Sequence, residues 1–282
     1  MKKILIAGAN SYIGTSFEKY IKEHYPDDYA VDTVDVKDGT WREKSFAEYD
    51  SVFHVAGLAH QKETRGNAHL YYEINRDLAV EVAQKAKTDG VKQFIFLSSM
   101  SVYGIATGVI TRQTKPNPKS HYGKSKWQAE QEMVPLASKD FKICILRPPM
   151  VYGKGCKGNF QTLVNLVKKT TIFPNVKNQR SVIYIDNLIS FVKLSVDNGL
   201  SGLYFPQNRF YVCTSDMAKY IATSLNRKIY LEYLMGRIVC VLRLLFPMAK
   251  KAFGSLVYQN VEDFNFSYVI MDNEQSIIRS VE

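Results

Sequence analysis

Tyr122 and Lys126 stand four residues apart within a stretch of helical periodicity, residues 122–133, so their side chains share one helix face. An ammonium beside a phenol favours phenolate, and a tyrosine with a reference pKa of about 10 needs such help to act as a general base near neutrality. Taken alone, the pair reads more simply as two exposed helix residues. Its company changes that reading. Ser99, in Phe96-Leu97-Ser98-Ser99-Met100-Ser101-Val102-Tyr103-Gly104, follows an apolar strand and offers a hydroxyl able to hold a reacting hydroxyl. Near the start of the chain, Gly8-Ala9-Asn10-Ser11-Tyr12-Ile13-Gly14 joins an apolar strand to a helix, the place of a dinucleotide phosphate turn. Gly8 permits the tight turn, Gly14 permits close packing, and the helix start offers N–H groups to a pyrophosphate. Ser11 stands where a middle glycine is usual. Asp35, ending an expected strand over residues 31–36, is placed to accept the adenosine ribose hydroxyls, which favours NAD; Lys37 beside it leaves NADP open.

These residues need a frame that gathers loops at one sheet edge, and the periodicity supplies one. Strand-length apolar runs at 3–7, 51–55, 93–97 and 142–146 alternate with helical patterns at 12–24, 70–88 and 122–133. Ile4-Leu5-Ile6, Phe94-Ile95-Phe96-Leu97 and Ile143-Cys144-Ile145-Leu146 are continuously apolar, as strands buried on both faces are. The expected fold is α/β, a Rossmann-type doubly wound parallel sheet with a smaller C-terminal substrate-binding α/β domain. The boundary is placed at Arg147-Pro148-Pro149, giving residues 1–147 and 148–282, with residues 181–196 able to return to the first domain.

The chain has 282 residues, 46% hydrophobic and 23% charged, which excludes disordered, fibrous and disulfide-stapled classes. Lys+Arg exceed Asp+Glu by 37 to 27, and a net charge of +10 suits polyanionic or phosphorylated partners. No basic stripe with interleaved aromatics accompanies it, so nucleic acid is not expected. Cys144, Cys156, Cys213 and Cys240 are too dispersed for a zinc site or a disulfide framework, and a reducing cytoplasm fits them. The apolar start ends at Ala9 and reads as a strand rather than a signal peptide, and residues 238–246 are too short to span a bilayer.

Taken together, Gly8/Gly14, Asp35, His54-Val55-Ala56-Gly57, Asn75, Ser98-Ser99 with Val102-Tyr103-Gly104, Tyr122/Lys126, Arg147-Pro148 with Tyr152-Gly153, and Arg180 ahead of Asp186-Asn187-Leu188 carry a resemblance. The chain resembles the extended short-chain dehydrogenase/reductases, within them the NAD-dependent epimerase/dehydratase family that works on nucleotide sugars. The resemblance implies Ser99, Tyr122 and Lys126 as catalytic residues. It implies Gly8, Asn10, Ser11, Tyr12, Ile13, Gly14, Asp35, Ala56, Gly57, Asn75 and Lys126 around NAD, and Ser99, Tyr122, Asn159 and Arg180 on a nucleotide-diphosphate sugar. Arg180 is the phosphate clamp in this picture. His60 is left outside the site. Met150 stands where many members carry an asparagine toward the diphosphate. Because residues 36–50 lack a full helix, Trp41 and its neighbours are expected at the adenine.

The sequence further resembles a subgroup associated with bacterial surface-polysaccharide synthesis, whose members include 4-epimerases and 4-keto-sugar reductases. A 4-epimerase is the reading preferred, a 4-keto-sugar reductase on a nucleotide- or lipid-linked sugar the alternative, and a non-catalytic dinucleotide sensor the reading from another class. A homodimer is implied by the resemblance. Residues 234–253 join an apolar stripe to Arg237, Arg243, Lys250 and Lys251, which allows peripheral membrane contact, although packing on the domain's own core is the preferred reading.

Overall fold

A parallel strand buried on both faces can be apolar throughout, and the strands of this chain are placed accordingly. The computed structural model describes residues 1–59, 61–259 and 266–281; His60 lies outside the described residues. In chain order the elements are β1 (Lys2–Ala7), α1 (Tyr12–His24), β2 (Tyr29–Val34), β3 (Ser51–His54), α2 (Ala68–Tyr72), α3 (Leu78–Thr88), β4 (Gln93–Leu97), β5 (Gly108–Ile110), α4 (His121–Met133), β6 (Lys142–Leu146) and β7 (Met150–Tyr152). They continue as α5 (Asn159–Lys169), β8 (Ile172–Pro174), β9 (Val182–Tyr184), α6 (Ile185–Asp197), β10 (Gly202–Tyr204), α7 (Thr214–Ser224), β11 (Tyr230–Glu232), α8 (Tyr233–Leu245), α9 (Pro247–Phe253), β12 (Leu256–Tyr258) and α10 (Asn273–Val281).

Two compact units share these elements. The first holds residues 1–104, 116–148 and 189–206; the second holds 105–115, 149–188 and 207–282. The chain therefore does not change units at one point near Arg147. Residues 105–115 leave the first unit early, and the returning segment runs over 189–206 rather than 181–196.

In the first unit six strands form one sheet in the order β10-β6-β4-β3-β1-β2, every neighbouring pair parallel. This is a Rossmann-like α/β fold. Register brings the chemistry-bearing loops to one edge: Ala7 pairs with Val34 and His54, His54 with Phe96, and Leu97 with Leu146. The residues just beyond these strand ends are Gly8, Asp35, Val55, Ser98 and Arg147, so the carboxyl edge collects the glycine turn and the serine loop. Val52, Phe94, Phe96, Ile143 and Ile145 pack with Val82, Ala83 and Ala129 in one core cluster. Trp41 belongs to that cluster. It follows a left-handed Gly39 and is 1% exposed, with its ring against Phe46 and the Arg42 guanidinium 4.7 Å above it. Packing has taken the ring expected at the cofactor.

The second unit is built from three short parallel pairs, β7 with β9, β8 with β11, and β5 with β12, and from helices α5, α7, α8, α9 and α10. Tyr152 is buried there, its hydroxyl bonded to Ser276 at 2.6 Å and to Asn208 at 3.0 Å. All four cysteines are free, and among the described residues no helix is long and apolar enough to cross a membrane.

Candidate active site

α4 carries Tyr122 and Lys126 because three groups fix its start. Ser120 caps it by accepting the Gly123 N–H at 3.0 Å. Glu63, distant in sequence, accepts the His121 and Tyr122 N–H groups, both at 3.0 Å, so a carboxylate meets the positive end of the helix dipole. Tyr122 is half-buried, and the Ser99 hydroxyl is near enough to favour its phenolate. Ser99 is extended at φ −163° and caps the short turn Met100–Tyr103 by accepting the Ser101 N–H at 3.1 Å. Both side chains are thus aimed by backbone that the sheet edge holds still.

Burial raises the Tyr122 pKa, and the Ser99 hydroxyl opposes it. Lys126 is not among the groups that shift Tyr122, because the lysine reaches elsewhere. Its Nζ donates to the Leu97 carbonyl at 2.9 Å and sits 4.6 Å from the Phe96 ring centre. Buried there, Lys126 falls from 10.5 to about 7, with Glu130 one turn on pulling it back up. Near neutrality it is poised between ammonium and amine.

Asn75 is fully buried in a π-helical turn, Glu73–Asp77, that joins α2 to α3. Such turns frequently mark functional sites, since the extra residue re-aims a side chain. Its Oδ1 accepts the Leu58 N–H at 2.7 Å, while Nδ2 donates to the Leu58 carbonyl at 3.1 Å and to Ser125 at 3.2 Å. Asn75 therefore clamps the loop after β3 onto α4. Gly57 lies inside that clamp: a Cβ there would meet Asn75 Oδ1 at 3.0 Å and Lys126 Nζ at 3.3 Å.

The glycine turn is equally tight. Gly8 has φ +129°, and a Cβ on it would stand 2.6 Å from the Ala56 nitrogen, so only glycine lets β1 pass the β3 loop. Asn10 takes the left-handed φ of 62°, and Ser11 caps α1 by accepting the Gly14 N–H at 3.2 Å. Tyr12 and Ile13 open the helix. Asp35 accepts the Lys37 N–H at 3.0 Å, next to Val34, whose carbonyl receives Gly8 and Ala9. The first unit thus gathers the glycine turn, Asp35, Ala56-Gly57, Asn75, Ser99, Tyr122 and Lys126 along one sheet edge, an arrangement that fits a bound dinucleotide.

Asn159 and Arg180 belong to the second unit. Asn159 is exposed at the start of α5. Arg180 bridges Val212 and Leu256 and donates Nη1 to the carbonyls of Lys251 at 2.9 Å and Gly254 at 3.0 Å. It has no carboxylate partner among the described residues, and burial lowers its pKa. Met150 opens β7 opposite Val182 and brings no donor.

The roles of three supporting groups escaped the sequence reading, although Arg147 itself stands among its motif residues. Glu63 is one. The others are Glu130 and Arg147, a buried pair joined through both guanidinium Nε and Nη2, with Ser98 donating to the same carboxylate and Tyr103 taking Nη1 at 2.7 Å. Glu130 continues the Tyr122, Lys126 spacing by one more turn, which was the available signal. His54 is buried between Phe94 and Phe96, and neither ring nitrogen has a partner among the described residues. Desolvation and the Lys126 charge lower it to about 3, so it stays neutral.

A family model, described as the NAD dependent epimerase/dehydratase family, matches residues 4–204. The chain belongs to this family. Over 251 residues it is 30% identical to a UDP-glucose 4-epimerase of Vibrio cholerae, covering 80% of this chain and 76% of that one. Over 256 residues it is 27% identical to an Escherichia coli O157:H7 N-acetyl-alpha-D-glucosaminyl-diphospho-ditrans,octacis-undecaprenol 4-epimerase, covering 83% and 76%. A UDP-glucuronic acid 4-epimerase from Bacillus cereus, solved in complex with NAD, shares the fold at a TM-score of 0.77 and 16% identity, over 99% of this chain and 94% of that one. This member of the NAD-dependent epimerase/dehydratase family is an enzyme.

Proposed function

We propose that the protein is an NAD-dependent 4-epimerase acting on a UDP-hexose or UDP-N-acetylhexosamine in surface-polysaccharide precursor synthesis. The observation that carries this is the placement of Ser99, Tyr122 and Lys126 in the unit whose sheet edge also holds the glycine turn, with Lys126 bonded to the Leu97 carbonyl and Asn75 to the Leu58 N–H. The two curated relatives, both 4-epimerases, support the choice of carbon and of sugar class.

Bound NAD supplies a reversible two-electron acceptor at the sugar carbon. The chain's residues do the rest. Gly8, Asn10, Ser11, Tyr12, Ile13 and Gly14 receive the pyrophosphate, Asp35 the adenosine ribose, and Ala56, Gly57, Asn75 and Lys126 the nicotinamide side. Ser99 orients the C4 hydroxyl and Tyr122 removes its proton, then returns it. A neighbouring cation must lower the phenol first, and Lys126 is the group that can supply charge. Arg180 and Asn159 bind the diphosphate part of the substrate. A homodimer belongs to the same proposal and is read directly by light scattering.

The test is to denature the purified protein, identify the released dinucleotide, and incubate the native protein with UDP-glucose and UDP-N-acetylglucosamine. The expected result is retained NAD and interconversion of C4 epimers with no net growth or loss at the reduced-nicotinamide band. Stoichiometric consumption of NADH or NADPH would mark a 4-keto reductase instead.

A further inference from the structure

α8 inverts the pattern of an ordinary surface helix. Gly236 is its buried residue, and a Cβ there would stand 2.0 Å from the Asn175 carbonyl, so the helix backbone rests directly on the chain leaving β8. Val239, Cys240 and Arg243 continue this inward stripe and are half-buried. The opposite stripe, where polar residues belong, is Leu234, Ile238, Val241 and Leu245, spaced i, i+4, i+7, i+11 and 52–69% exposed. Tyr233, Leu244 and Phe246 flank it, and Leu244 is 80% exposed. Folded chains rarely leave so continuous an apolar face bare.

Charge says what covers it. Residues 233–253 contain Arg237, Arg243, Lys250 and Lys251 and no acid. Arg237, Lys250 and Lys251 are exposed. Glu232, at the border, turns its carboxylate to the Leu234 N–H at 3.2 Å and caps the helix. A second copy of the same face would bring like charges together, whereas an anionic bilayer surface matches both features. The apolar stripe sinks to the acyl boundary while the cations reach headgroups on their flexible stems. We propose that α8 and α9 dock the protein on an anionic lipid bilayer, lying in the plane of the surface. The inward stripe of α8 packs on its own unit, as the sequence reading preferred, and the proposal concerns the apolar stripe that this packing leaves exposed. This proposal uses no part of the epimerase reading.

The full chain is tested by sedimentation with sucrose-loaded vesicles of phosphatidylcholine alone or mixed with phosphatidylglycerol. The expected result is pelleting with the anionic vesicles only, released by salt. Arg237→Gln reduces the bound fraction roughly fivefold, and Ile238→Glu with Leu245→Glu reduces it at least about tenfold. UDP-sugar turnover and thermal unfolding of these variants match the parent, so loss of docking and loss of the enzyme read out separately. Failure to pellet with anionic vesicles, or pelleting that survives Ile238→Glu with Leu245→Glu, overturns the proposal. So does light scattering that shows an oligomer dissociated by the same two substitutions without vesicle binding, which would assign the face to a second copy.

Discussion

The Tyr122 phenol is held above its ordinary pKa by burial, which outweighs the Ser99 hydroxyl that favours phenolate. Its work begins only when positive charge arrives. Tyr122→Phe is therefore expected to lower kcat by about 10²–10⁴ while the NAD released on denaturation is unchanged, which a turnover assay and chromatography of the cofactor together check. Lys126 makes a second prediction through linkage. Its folded pKa of about 7 lies below the 10.5 of the free side chain, so between these values the unfolded chain binds the extra proton. The burial cost of this ammonium is fully present below about pH 7 and is relieved as pH rises to 10.5. Urea midpoints of the wild type should gain on those of Lys126→Met between pH 7 and about pH 9.5, and a constant difference would contradict the burial argument. Ser99, Tyr122 and Lys126 could be picked out in the sequence because spacing and side-chain chemistry are local properties. The Lys126–Leu97 hydrogen bond could not, because a partner on a neighbouring strand leaves no local spacing to read.

α4 and the α2–α3 helix act as a matched pair of holders, one presenting Tyr122 and Lys126 and the other clamping the loop that carries Gly57. Removing Asn75 tests the second holder. Asn75→Leu strands the Leu58 N–H and carbonyl and is expected to cost about 1–3 kcal/mol by chemical denaturation. Glu130→Gln tests the first. It leaves the Arg147 guanidinium buried and uncompensated, and a loss of about 3–5 kcal/mol is expected; a loss below about 1 kcal/mol would show that the pair does not hold α4. Elements of this size were legible: 12–24, 93–97 and 142–146 stand in the structure with the bounds their periodicity gives. The π turn was not, because one inserted residue leaves the apolar spacing of residues 70–88 nearly intact. Trp41 misled for a related reason. Its short segment lacks periodicity, so nothing local showed that the ring turns inward to Phe46.

At the scale of the molecule, the first unit closes only when residues 189–206 return to it. β10 forms the edge next to β6, and Gln93 donates to the carbonyls of Ser195 at 2.9 Å and Leu200 at 3.0 Å. A fragment of residues 1–148 leaves β6 bare and those donors unmet, and it is expected to be unfolded or aggregated and to retain no NAD. Circular dichroism and size exclusion decide, and a monomeric fragment with a cooperative melt would overturn the expectation. This interleaving was hidden in the sequence because three-residue strands such as β5, β10 and β12 carry too few residues to show a period.

The pairing of β5 with β12, Gly108 opposite Leu256, has a meaning in time. A ribosome adding roughly 5–20 residues per second delivers the partner of β5 about 7–30 seconds after β5 itself has emerged. For that interval Gly108–Ile110 presents an unmatched strand edge, with Val109 facing solvent even in the finished protein. The nascent chain is exposed to mispairing at this strand until β12 emerges and shuts it.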